Sequence, residues 1–142
     1  MVHYRHNAEG IQPAQLRGFF EGWPNPPTPE THLRVLERSD AIVLALTDGP
    51  TPRVVGFATA ITDGILSATI PLLEVLPGHR GQDIGHELIE RLLARLDHLY
   101  MIDVTCDPNV VPFYTSLGMT AATGASLRNY QHQAGATAGL NP

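Results

Sequence analysis

The chain has 142 residues, enough for one domain with a packed core and too few for two comfortable ones. Hydrophobic residues make up 43% and charged residues 16%, which is a globular and not a disordered composition. A formal charge of −5 and a pI near 5.7 speak against nonspecific binding to nucleic acid or to an acidic membrane surface. All nine basic residues are arginines.

In chain order, "VHYRHN" alternates like a first strand, and "PAQLRGFFEGW" sets Leu16, Phe19 and Phe20 at helical spacing behind a proline. "WPNPPTP" has four prolines in seven residues and reads as a stiff extended loop. "ETHLRVLERSD" resumes the helical pattern through Leu33 and Leu36, with Thr28 or Thr31 as its cap. After Asp40 the pattern turns to strands. "AIVLAL", "RVVGFATAIT" and "ILSATIPLLEVL" are joined by the turn signals "DGPTP" and "DG", which makes an antiparallel meander.

The most regular helix follows "PGHRGQDIG". Ile84, Leu88, Ile89, Leu92, Leu93 and Leu96 form its apolar stripe, and Glu87 pairs with Arg91 at i,i+4. "YMIDVTC" is a further buried strand, and "DPNVVPFYTSLG" a short helix with Asp107 as cap and Gly118 past its end. "MTAAT" and "SLRNYQ" read as a closing pair of strands, and the exposed edge of the latter suits a homodimer through the last strands. Residues 1–133 are thus expected to form one domain and 134–142 a disordered tail. The order β-α-α-β-β-β-α-β-α-β-β predicts an α/β fold with a mixed, mostly antiparallel sheet and helices on both faces.

One cysteine, Cys106, excludes an internal disulfide and a Cys-rich zinc site, and the seven histidines show no metal-ligand spacing, so no metal is expected. The beginning "MVHYRHNAEG" has no apolar signal region and no apolar run approaches a membrane span, so the expectation is a cytoplasmic protein with no membrane partner.

The turn "LPGHRGQDIGHEL" carries the chemistry. A strand, a glycine-bearing loop and a long helix in succession form an anion site, because the first helix amides have no intrahelical partner and their dipole favours negative charge. Gly81 and Gly85 allow close backbone approach. The spacing is neither the dinucleotide fingerprint nor a Walker loop. Two glycines alone are equally consistent with a plain strand-to-helix turn.

Together with "DPNVVPFYTSLGM" downstream, the stretch "LLEVLPGHRGQDIGHELIERLL" resembles the acyl-CoA-binding segment of the GNAT superfamily of N-acetyltransferases. That family carries Arg/Gln-x-x-Gly-x-Gly/Ala after a strand ending in Val-x-Pro, and a later Phe-Tyr-x-x-x-Gly-Phe segment. The separation of the two motifs and the element order over roughly residues 2–133 agree with the family.

The resemblance implies a strand splayed at the cofactor site, with the backbone of Leu73 and Val75 holding the pantetheine arm of acetyl-CoA. It implies a pyrophosphate on the turn made by Arg80, Gly81, Gln82, Asp83, Ile84, Gly85 and His86, with Asp107 and Phe113 as further cofactor contacts. Tyr114 would protonate the leaving thiolate in a direct ternary complex with a small-molecule or peptide amine. Glu74 is the candidate base, with Glu21 and Asp63 as weaker alternatives. Glu21, Trp23 and Asn25 are candidates for the acceptor pocket. Structural readings stand beside these: a surface tyrosine, a solvated glutamate and a tryptophan anchoring a rigid loop.

Two residues depart from the family pattern. Asp83 stands where glycine is usual, and a carboxylate there either caps the helix and takes up the amides or turns to solvent and leaves them free. Asp107 stands where asparagine is common. The Asp83 departure keeps a second function open, a non-catalytic acyl-CoA-binding or regulatory module on the same fold.

Overall fold

The structure, a computed structural model, describes residues 1–139. Five strands form one sheet in the order of the chain: β1 (Val2–Arg5), β2 (Ala41–Thr47), β3 (Val54–Thr62), β4 (Ser67–Val75) and β5 (Met101–Asp103). The first four pair antiparallel and β5 lies parallel to β4, so the sheet is mixed and open. Three α-helices accompany it: α1 (Pro29–Arg38), α2 (Ile84–Arg95) and α3 (Val111–Thr115).

Helices cover both faces. Phe57 on β3 meets Phe19, Phe20 and His32 of α1 on one face, with ring centroids 5.1, 6.1 and 4.3 Å away. The adjacent Gly56 faces the other side, where a Cβ would come within 3.1 Å of Leu88 and 3.2 Å of Ile84 on α2. Glycine there lets α2 lie directly on the sheet, through the buried stripe Ile84, Leu88, Ile89 and Leu92. Thr28 is the cap of α1, accepting from the Thr31 amide at 3.1 Å.

The edge of β4 is shaped by one irregularity. Thr69 pairs with Ile61 and Leu72 with Thr59, so Ile70 and Pro71 stand against the single residue Ala60. This is a β-bulge, which bends and twists the strand that carries it. Proline fits there because it has no amide to give a ladder. The parallel pairing with β5 stops at the same level, at Thr69 opposite Asp103. Beyond it the outer edge of β4 is open to Val75.

Three expected elements take another form. "PAQLRGFFEGW" makes only one 3-10 turn, Pro13–Leu16, because left-handed backbone at Gly18, Phe20 and Gly22 cannot continue a helix. Residues 119–129 hold no strand, so the expected closing pair is absent. This run is rich in Ala, Thr, Ser and Gly and carries few side chains able to bury it. The stretch expected to be a disordered tail starts with a turn, where the Gly135 amide donates to the His132 carbonyl at 3.0 Å and lies against Thr31. Residues 140–142 of that tail lie outside the described residues.

His32 is 1% exposed, and neither ring nitrogen meets a polar partner among the described residues. Burial pushes its pKa down to about 4. The unfolded chain takes up that proton near pH 6.5 and the folded protein only near 4. Stability from this site is therefore complete above pH 6.5 and falls as pH drops toward 4, by about 3 kcal/mol. Urea unfolding of wild type and His32→Leu at pH 7 and pH 4.5 measures this. The variant should show the smaller loss on acidification, and equal losses would clear His32 of the effect.

Candidate functional site

The open edge of β4 and the start of α2 meet in a groove of about 610 Å³. Leu76 donates to the Val55 carbonyl at 2.8 Å, and Phe57 stands opposite Glu74. Peptide groups alternate sides along a strand, so those of Leu73 and Val75 point away from β3, into the groove. The Val75 carbonyl is already taken, because it accepts from Arg80 Nε at 3.0 Å.

The turn into α2 begins with a short 3-10 segment, Pro77–His79, after which the backbone rises through Gly81 and Asp83 in the left-handed region. Asp83 is the N-cap residue at φ 60 and ψ 18, and its side chain caps nothing. Its carboxylate is exposed. None of the backbone N–H groups from Gly81 to His86 has an acceptor among the described residues. Six free donors at the positive end of a helix suit an anion. The left-handed backbone at 83 also explains why glycine would serve there and why aspartate, which tolerates that region, is accepted.

Most of the expected cofactor residues come together. Leu73, Val75, Arg80, Gly81, Asp83, Ile84, Gly85, His86 and Phe113 line the groove, and so does Glu74. Gln82 and Asp107 do not. The Arg80 amide is spent on the Pro77 carbonyl at 3.4 Å, so the free row starts one residue later than the motif suggested. His79 also lines the groove, as do Asn109 and Val110, which were missed. Val110 and Phe113 sit one short-helix turn apart in "DPNVVPFY", and that spacing was the available signal.

Tyr114 lies behind the groove, one residue beyond Phe113, and packs edge to face on its ring at 5.0 Å. It is 6% exposed, and burial followed by the neighbouring Cys106 pushes its pKa up to about 12. It therefore holds its proton at neutral pH.

Glu74 is engaged. One oxygen accepts the Phe20 amide at 2.7 Å and the other the Glu21 amide at 3.3 Å. Glu21 in turn pairs with Arg80 at 2.9 Å. Trp23 stacks on Phe20 with centroids 4.8 Å apart, and the Asn25 amide donates to the Gln133 side chain at 2.9 Å. None of these three acceptor candidates lines the groove, and of them Glu21 reaches it through Arg80. Asp63 is far from this site. Its carboxylate accepts the amides of Ile65, Leu66 and Ser67 in the β3–β4 turn, and those bonds hold its pKa below the usual range.

A second recess of about 620 Å³ lies between residues 6–12 and α1. Of the carboxylates around it, Asp40 is spent on the Thr62 amide at 2.8 Å. No group of three or more metal-ligating side chains is placed to hold an ion among the described residues. Nor is any described helix long and apolar enough to cross a membrane.

A family model described as the GNAT acetyltransferase domain matches residues 11–130. The crystal structure of a candidate acetyltransferase from Deinococcus radiodurans superposes with a TM-score of 0.92 at 52% identity, covering 96% of this chain and 94% of that one. A histone acetyltransferase, TAP1, from Glycine max is 39% identical over 71 residues, which is 49% of this chain and 31% of that protein. The chloroplastic serotonin N-acetyltransferase 2 of Oryza sativa is 31% identical over 118 residues, 80% of this chain and 59% of that protein. The chain thus spans about a third of the length of the first curated relatives it matches.

Asp83 is an unfavourable charge beside the free amides, on a side chain with no partner among the described residues. Asp83→Asn keeps a residue that tolerates left-handed backbone and removes the charge. Calorimetry should show CoA binding tightened by roughly two- to fivefold at low salt, with the gain shrinking as salt screens it. Equal affinities at low salt would mean that the carboxylate does not reach the ligand.

Proposed function

Because the chain belongs to the GNAT acetyltransferase family, we propose that it transfers an acetyl group from acetyl-CoA to an amine by direct attack in a ternary complex. The observation that carries this reading is the open edge of β4 running into six unpaired amides at the start of α2. An extended amide-bearing arm can pair with the Leu73 peptide and the Val75 amide, and a diphosphate can take the amides of Gly81 to His86. When bound, acetyl-CoA supplies a thioester already activated for acyl transfer.

The chain then has to orient the amine, receive its proton and return one to the departing sulfur. Tyr114 is the proton donor, protonated at neutral pH as any phenol is, with burial pushing its pKa further up. Glu74 is a groove carboxylate that receives the amine's proton, through water, since each of its oxygens already serves a backbone amide. Glu21, Trp23 and Asn25 form the acceptor side, on the loop fastened over Glu74. The names of the relatives point to acceptors as different as a histone and serotonin, so the class assigned is an amine of a small molecule or peptide. We read residues 1–133 as a single domain.

A non-catalytic acyl-CoA binder is the weaker reading. It drew its support from Asp83 occupying the helix amides, and the side chain leaves them free.

Thiol release from acetyl-CoA over an amine panel tests the activity, with CoA calorimetry beside it. Tyr114→Phe should lower kcat roughly tenfold or more while KM for acetyl-CoA changes little. Unchanged kcat would take the acid role away from Tyr114. Absence of CoA binding to the wild-type protein would remove the whole reading.

A further inference from the structure

The loop 17–25 holds a conformation that its own sequence does not favour. Phe20 sits at φ 63 with its ring buried, a backbone region that a bulky residue enters only when its surroundings impose it. The imposing groups are charged side chains from elsewhere. Arg53 donates to the Arg17 carbonyl at 2.8 Å, and Glu74 accepts the Phe20 and Glu21 amides. Arg80 adds the last fastening with a forked contact, Nη2 to Glu21 at 2.9 Å and Nε to the Val75 carbonyl at 3.0 Å.

Arg80 is also the residue immediately before the row of free amides. Its guanidinium therefore stands between the anion seat and the loop, with Glu21 as its one charged partner among the described residues. A diphosphate brought to those amides places more negative charge beside it. A diphosphate carries more negative charge than one carboxylate and offers a guanidinium the same bidentate geometry, so it competes with an exposed carboxylate for Arg80.

We propose that Arg80 is a positioning residue that couples the two halves of the site: filling the diphosphate seat draws its guanidinium from Glu21 and so resets the loop that carries Glu21, Trp23 and Asn25. The inference rests on the acetyl-CoA reading given above. It assigns Arg80 a side-chain role distinct from the backbone turn it belongs to. Glu74 keeps the loop attached during the exchange, since its bonds to Phe20 and Glu21 do not involve Arg80.

Trp23 is the only tryptophan, is 37% exposed and stacks on Phe20, so intrinsic fluorescence reports the loop directly. CoA is titrated into wild type, Glu21→Gln and Arg80→Lys, with calorimetry run in parallel to measure occupancy. Wild type should change its Trp23 emission in step with occupancy. Both variants should still bind CoA, Glu21→Gln within about threefold because the pair is exposed, and lose at least half of the emission change at saturation. Glu21→Gln alters an exposed side chain whose backbone stays anchored, so it keeps the test alive if Arg80→Lys fails to fold. The proposal is overturned if wild-type emission stays fixed at full occupancy, or if Glu21→Gln responds as wild type does. Absence of CoA binding to wild type in the calorimeter would instead sink the acetyl-CoA reading on which this rests.

Discussion

The site depends on the bulge at Ile70–Pro71. An uninterrupted β4 would stay paired to β5 and leave no backbone for a ligand. Two residues set against Ala60, one of them without an amide, end the pairing at Thr69 and turn the remaining edge outward. The second requirement is that an anion seat lie at the end of that edge. Gly56 supplies it, because a side chain there would push away Ile84 and Leu88 and with them the first turn of α2. The groove is thus the product of two backbone facts on neighbouring strands.

Among the described residues only Phe20 and Asp83 are non-glycine residues with positive φ; Asp83 lines the groove, and the Phe20 amide is held by Glu74, which lines it too. Departures from local preference gather where structure serves something other than stability. Asp83 holds the turn that exposes the helix amides. Phe20 holds the loop that brings Glu21 to Arg80 at the groove. Neither conformation persists alone: the one is set by α2 docking on the sheet, the other by the Glu74 carboxylate. Of the polar side chains around the groove, Glu74 is committed to the loop's backbone amides, which anchors the loop, while Arg80 divides its contacts between the Val75 carbonyl and Glu21.

Legibility followed the range of the interactions. The meander, α1 and α2 were readable because their apolar periodicity and turn residues act over a few positions, and the resemblance in "HRGQDIG" and "PFYTSLG" extended that reading to the fold. The helix expected over residues 13–23 failed because Phe20 is placed by a carboxylate 54 residues away. The strands expected in "MTAAT" and "SLRNYQ" failed because alternation marks a strand only where a partner edge accepts it. Asn109 and Val110 went unnoticed because a groove wall is assembled from three separate segments.

By itself the sequence determined the strand meander, the helices α1 and α2 with the apolar stripe of α2, the composition of the turn and the presence of an aspartate where a small residue would serve. These are consequences of chain-local geometry and patterning. Only the tertiary structure decided that Asp83 leaves the helix amides free, that Glu74 and Arg80 are committed to the backbone and to Glu21, and that Tyr114 is buried with its proton held. Side-chain direction and desolvation are set by what packs against a residue, and those neighbours are distant in the chain.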